Sequence, residues 1–161
     1  METMTSTTSV ISSQDLLAHW QGHRALTRRV IEAFPEKELV EFSIGGMRPF
    51  AQIVKELLAL AAPGVKQIAD GTVPQLDLEI AEAINKEMIL ALWDEATTAI
   101  NQYWSMIPDE RFQEKIMAFG AYEGTVISTV LYYIDNEIHH RGQGYVYLRA
   151  LGVTPPDFYE R

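Results

Sequence analysis

Apolar residues recur at three- and four-residue steps along four separate stretches of this chain, and each stretch is bounded by proline, glycine or a capping side chain. That pattern commits the chain to amphipathic helices that must bury one face against each other. The first opens at Ser12 or Ser13, carries Leu16, Trp20, Val30, Ile31 and Phe34, and stops at Pro35. The second starts at Pro49, after a Gly45-Gly46 loop, with Phe50, Ile53, Val54, Leu57 and Leu60-Ala61 on its apolar face; Pro63-Gly64 is expected to end or kink it. The third is expected from Lys86 to Ile107, with Ile89, Leu92, Ala96, Ile100 and Tyr103 on one side, widened by Trp93 and Trp104. The fourth spans about Thr125 to Leu151, is expected to bury Ile127, Val130, Leu131, Ile134, Ile138, Tyr145 and Leu148, and stops at Gly152. Between the second and third, Asp70-Gly71 and Pro74 mark a long connection that holds a further helical piece over Leu76 to Ile84, while Asp109 to Gly124 reads as irregular with at most a short ribbon. The expected fold is all-α, a four-helix bundle with a long crossover connection.

A chain of 161 residues with 47% hydrophobic content suits a single domain, expected over residues 14–161, behind a Ser/Thr-rich tail over residues 1–13 that is expected to be disordered. That tail has neither a basic start nor an apolar core, so it does not read as a signal peptide, and no apolar run approaches the ~20 residues of a membrane span; the expected location is the cytoplasm, with no membrane partner. With 13 basic and 22 acidic residues the formal charge is −9, which disfavours attraction to nucleic acid. There is no cysteine, so any chemistry must use nitrogen and oxygen donors.

Those donors concentrate in Asp135-Asn136-Glu137-Ile138-His139-His140-Arg141-Gly142-Gln143, which holds two of the four histidines. Residues four apart share a helix face, so Asn136 stands under His140 and Asp135 under His139, while Tyr133, Gln143 and Tyr147 extend the Asn136/His140 stripe. His139 is expected to diverge from His140. On the first helix His19 and His23 also lie four apart, readable as a second chelating pair and pocket lining or as core-edge histidines with local partners; the second reading is the plainer one.

The run His139-His140-Arg141-Gly142-Gln143, followed by Tyr147-Leu148-Arg149-Ala150-Leu151-Gly152 and Pro155-Pro156, resembles the last-helix signature of the DinB-like four-helix-bundle superfamily. Trp20 on an early helix and the opening Arg48-Pro49-Phe50 of the second extend the likeness. The resemblance implies one divalent metal held by three histidines, one on the second helix and an H-x-x-x-H pair on the last. Here His140 matches the second histidine of the pair, Asn136 stands at the first, and Glu56 falls at the second-helix position. The candidate metal ligands are therefore Glu56, Asn136 and His140, with Tyr133, Gln143, Tyr147 and His23 lining the pocket. A carboxylate, an amide and an imidazole form a harder set than three imidazoles, so the expected ion is Mn, Fe or Mg, with Zn or Ni open, held more weakly than in three-histidine relatives.

Two functions stay open. One is a metal-dependent hydrolase or thiol-dependent transferase acting on a small molecule, with a low-molecular-weight thiol as co-substrate. The other is a metal-free bundle, in which Glu56, His140 and Asn136 form a structural polar network and the protein binds a small ligand or a protein partner. Arg141 and Arg149 are expected to tie the last helix to carbonyls or carboxylates, including those of residues 157–161. A homodimer is expected from the resemblance and from the wide apolar stripes on the first and third helices.

Overall fold

The structure, a computed structural model, describes residues 9–161; most of the tail expected over residues 1–13 lies outside the described residues. Five α-helices and one hairpin follow: α1 Ser13–Ala33, α2 Glu36–Glu41, α3 Phe50–Asp70, α4 Lys86–Trp104, β1 Lys115–Ala118, β2 Tyr122–Thr125 and α5 Val126–Ala150. The four long helices close a ring in which α1 and α3 each pack against both α4 and α5. Among the described residues no helix is long and apolar enough to cross a membrane.

Helix starts follow cap chemistry. Ser12 accepts the Asp15 N–H at 3.0 Å, Asn85 accepts that of Met88 at 2.9 Å, and Thr125 accepts that of Ser128 at 3.2 Å, each satisfying a first-turn donor that has no helical partner. Three expectations need correction. Pro63-Gly64 does not end α3, which continues to Asp70 and stops at Gly71 in the left-handed region at φ 78°. Packing offsets the lost proline hydrogen bond there: Gly64 leaves room for the Tyr133 ring, whose hydroxyl would lie 2.3 Å from a Cβ. The segment from Leu76 to Ile84 is not helical, because the Asp77 carboxylate takes the Glu79 N–H at 3.0 Å in a local turn while Leu76 and Leu78 stay half exposed. The third correction concerns α5, where Leu131 and Ile138 face outward and Glu137 and Arg141 face inward. At the chain's far end α4 gives way to turns before Ile107, and residues 109–113 form a 3-10 turn that leads into an antiparallel hairpin pairing Lys115 with Thr125 and Ala118 with Tyr122.

The inward charges divide the core. One apolar half gathers Leu16, Trp20, Val65, Ile100, Trp104 and Val130; the other gathers Val30, Phe34, Phe50, Ile53, Trp93 and Leu148, with Phe34 stacked on Phe50 at 4.7 Å. Between them lies a polar layer of His23, Arg24 and Thr27 from α1 with Glu137 and Arg141 from α5, all buried. Glu137 accepts the Trp20 indole N–H at 3.1 Å and the Thr27 hydroxyl at 2.6 Å, with the Arg24 guanidinium 3.7 Å away. Arg24 in turn stacks over the Trp93 ring at 4.0 Å and donates to Thr97 and to the Trp93 carbonyl.

Candidate functional site

Glu56 and His140 meet across the α3–α5 seam although 84 positions separate them: His140 Nε2 lies 3.0 Å from Glu56 Oε1. Asn136, one turn before His140, donates its amide N–H to the same oxygen at 3.4 Å. The other oxygen, Oε2, takes the Arg48 guanidinium at 2.6 Å. Arg48 is held from behind, since its carbonyl accepts the Tyr147 hydroxyl at 2.8 Å. His140 Nδ1 lies 2.6 Å from Gln143 Oε1, and the Gln143 amide reaches the Met47 sulfur at 3.5 Å. In this arrangement both ring nitrogens of His140 face oxygens. Burial works against the Glu56 carboxylate, but the hydrogen bonds and charges of Arg48 and His140 outweigh it and hold its pKa below the usual value.

The structure thus brings Glu56, Asn136, His140 and Gln143 together, with Tyr147 buried behind them. Tyr133 is adjacent but differently employed. It stacks on Trp20 with ring centroids 6.4 Å apart, its buried hydroxyl has no hydrogen-bond partner, and burial raises its pKa to about 12. His23 lies elsewhere, in the polar layer toward α1. Its Nδ1 accepts from Arg141 at 2.9 Å, while Nε2 lies 3.2 Å from His19 Nε2 and 2.9 Å from the Arg161 guanidinium. Guanidinium groups thus face both ring nitrogens of His23, which puts positive charge where a cation shared with His19 would sit and opposes chelation by that pair. Burial, then Arg141, Arg161 and His19, lower the His23 pKa from 6.5 to about 4. His139 is exposed, yet its ring meets that of His140 edge-on with centroids 5.0 Å apart, so the two side chains do not diverge as expected. Arg141 does tie α5 to a carbonyl, that of His23 at 3.1 Å, but on α1 and not in residues 157–161; Arg149 is exposed.

Sequence reasoning missed Arg48 as a member of the cluster and Glu137 with Arg24 as a buried pair. Arg48 precedes α3 in a loop, so no helical spacing links it to Glu56. Glu137 and Arg141 are four apart, a spacing that ordinarily signals an exposed ion pair.

The residues present do not suit the divalent ion that the resemblance implies. Both Glu56 oxygens are engaged, one of them by a permanent positive charge, and Asn136 turns its N–H, not its oxygen, toward the carboxylate. Among the described residues no three His, Cys, Asp or Glu side chains form a group that could hold a metal ion.

A cleft of about 930 Å³ opens beside Glu56. Its walls are Leu60 of α3, Val73 to Leu76 and Leu78 of the connection, Phe119 and Ala121 to Gly124 of the hairpin, and Ser128, Thr129, Tyr132 and Tyr133 of α5. The lining includes two carboxylates, Glu56 and Glu123, and no lysine or arginine.

Comparison with known proteins follows the same outline. Residues 4–161 match the model of the DinB family. The chain is 22% identical to the uncharacterized protein YjoA of Bacillus subtilis (strain 168), over 92% of this chain and 97% of that one. Among solved structures, a DinB-like protein from Bacillus cereus ATCC 10987 superposes with TM-score 0.75 at 17% identity, covering 92% of this chain and 98% of that one. The crystal structure of YjoA gives 0.71 at 19% identity, with 91% and 98% covered. A mutant of the mycothiol-dependent maleylpyruvate isomerase gives 0.59 at 11% identity, covering 81% of this chain and 60% of that one.

Proposed function

Because the chain belongs to the DinB family, matched over residues 4–161, we propose that it is a metal-free member that binds a small molecule in the cleft beside Glu56. The Arg48–Glu56 ion pair carries this reading. A guanidinium at 2.6 Å supplies the positive charge that a metal would otherwise bring to that carboxylate, and His140 and Asn136 complete its hydrogen bonding. The cleft has the size and largely apolar lining of a ligand pocket, with a few polar groups to orient what enters. Two lining carboxylates without a lining cation favour an apolar molecule with a neutral or positively charged head over an anion. Expected setting and partners are a cytoplasmic protein and a small organic ligand, not nucleic acid.

The catalytic alternative is a metal-dependent hydrolase or a thiol-dependent transferase. A mycothiol-dependent isomerase shares the fold at 11% identity, and that likeness carries the fold alone. Elemental analysis of protein purified without chelator or metal-affinity tag separates the two, alongside a thermal-shift comparison of apolar amines with apolar carboxylates. Metal far below one ion per chain and a melting temperature raised by the amines are expected. One ion per chain, lost in both Glu56→Ala and His140→Ala, would establish the metal-dependent reading instead.

A further inference from the structure

The outer wall of the cleft is held far less firmly than the helices opposite it. Residues 72–79 have no regular secondary structure. They run from Gly71, in the left-handed region at φ 78°, to Ile80, which packs with Ile84 against the apolar half around Trp93. Side chains alternate along this stretch as they do in an extended chain. Leu76 and Leu78 line the cleft, whereas Asp77 and Glu79 line a second hollow of about 420 Å³ against α3 and α4. The stretch is therefore a partition one chain thick. Apolar packing does little to fix it, since Val73, Leu76 and Leu78 are 57%, 47% and 47% exposed.

One polar contact pins its middle. Among the described residues, the ion pair of Asp77 Oδ2 with Lys55 Nζ at 3.3 Å is the only hydrogen bond or salt bridge that joins residues 73–79 to a helix. The other Asp77 oxygen accepts the Glu79 N–H at 3.0 Å, so one side chain both shapes the local turn and ties it to α3. Asp77 is largely exposed, and an ion pair open to water is weak and screened by salt. A wall anchored at its ends, thinly packed between them and pinned at one weak point swings outward readily. We propose that residues 72–79 form a flap that controls entry to the cleft, hinged at Gly71 and latched by Asp77 on Lys55. Its purpose rests on the reading of the cleft as a ligand site, while the latch itself acts in the ligand-free chain. Val73, Leu76 and Leu78 on the inner side match an apolar occupant and lose their exposure when the flap closes on one.

The chain has no cysteine, so Ala118→Cys places a single thiol in the buried wall of the cleft. The rate of its modification by iodoacetamide, an uncharged reagent, reads how often the cleft stands open. Lys55→Met removes the latch charge, and Asp77→Asn removes its partner while keeping an acceptor for the Glu79 N–H. Each should speed modification roughly threefold, the two together no more than either alone, and Lys55→Arg should leave the rate within about twofold of the original. Lys55→Glu, which sets like charges face to face, should speed it most, roughly tenfold. Ala61→Cys, buried in the core and outside the cleft lining, reports opening of the whole bundle and should react at one rate in every background. Decylamine, an apolar amine, is expected to protect Ala118→Cys. Latch-dependent rates without protection by decylamine would overturn the reading of the ligand and leave the flap standing. Unchanged rates in the latch variants, additive effects in the double variant, or equal acceleration at Ala61→Cys would overturn the flap.

Discussion

Glu137 and Glu56 both reach into the bundle from a helix, yet their surroundings give them opposite characters. Glu137 is fully buried between the two apolar halves, where burial pushes its carboxyl up against the pull of Arg24, Thr27, Trp20 and Arg141. Glu56 sits at the edge of a cleft, its side chain 20% exposed, with Arg48 and His140 holding it ionised. The first is enclosed by groups that are themselves buried; the second is bonded to groups that water also reaches. A carboxylate of the first kind fixes how helices meet, and one of the second kind can answer to a ligand.

The comparison breaks most plainly on truncation. Glu137→Ala leaves the buried Arg24 guanidinium without its counter-charge and the buried Trp20 indole without an acceptor, and a loss of about 3–5 kcal/mol of stability is expected in urea unfolding. Next in size is the acid response of the polar layer. His23 has a folded pKa lowered from 6.5 to about 4, so the unfolded chain takes up a proton first as the pH falls. Its contribution is complete above pH 6.5 and is lost on descent toward pH 4, amounting to about 1–3 kcal/mol. His23→Asn should flatten the melting temperature across that window, and an unchanged slope would show that the proton goes elsewhere.

Glu56→Ala should cost less, about 1–2 kcal/mol, because Arg48 can turn to solvent and only His140 and Asn136 lose a partly buried acceptor. Its pKa is lowered, so the stability it confers is present above the ordinary carboxylate range and is lost as the pH falls through the folded value. A loss as large as that of Glu137→Ala would erase the distinction between the two sites. The smallest effect is expected at Tyr133, whose hydroxyl is buried without a partner: Tyr133→Phe should raise stability by about 1 kcal/mol. A destabilised variant would mean that the hydroxyl has an acceptor after all.

Much of this architecture was legible in the residues, for reasons that can be named. Ser12 is a capping type placed just before apolar periodicity, and it caps. Gly152, expected to stop the last helix, lies just beyond α5 with φ 75°. The pairing of Glu56 with Asn136 and His140 came through the family resemblance, since nothing local in either helix points across the seam. What was not legible turns on competition between distant groups. The rotation of α5 follows from Arg24 and Thr27 giving Glu137 a buried home, and neither advertises that in its own segment. The continuation of α3 past Pro63 depends on the Tyr133 ring occupying the space over Gly64, and those residues lie about seventy positions apart.

The polar layer has a further consequence for how the bundle can move. In a purely apolar seam, α1 could shift along α5 by one turn, about 5.4 Å, and still find greasy neighbours. Here such a shift would carry Glu137 off its two donors and into either the Trp20 or the Val30 side of the core, where a carboxylate has nothing to bond. The layer therefore works like a detent: sliding motions are arrested at one position, and large excursions are left to the parts that do not engage it, the 71–85 connection and the hairpin that together form the outer wall of the cleft.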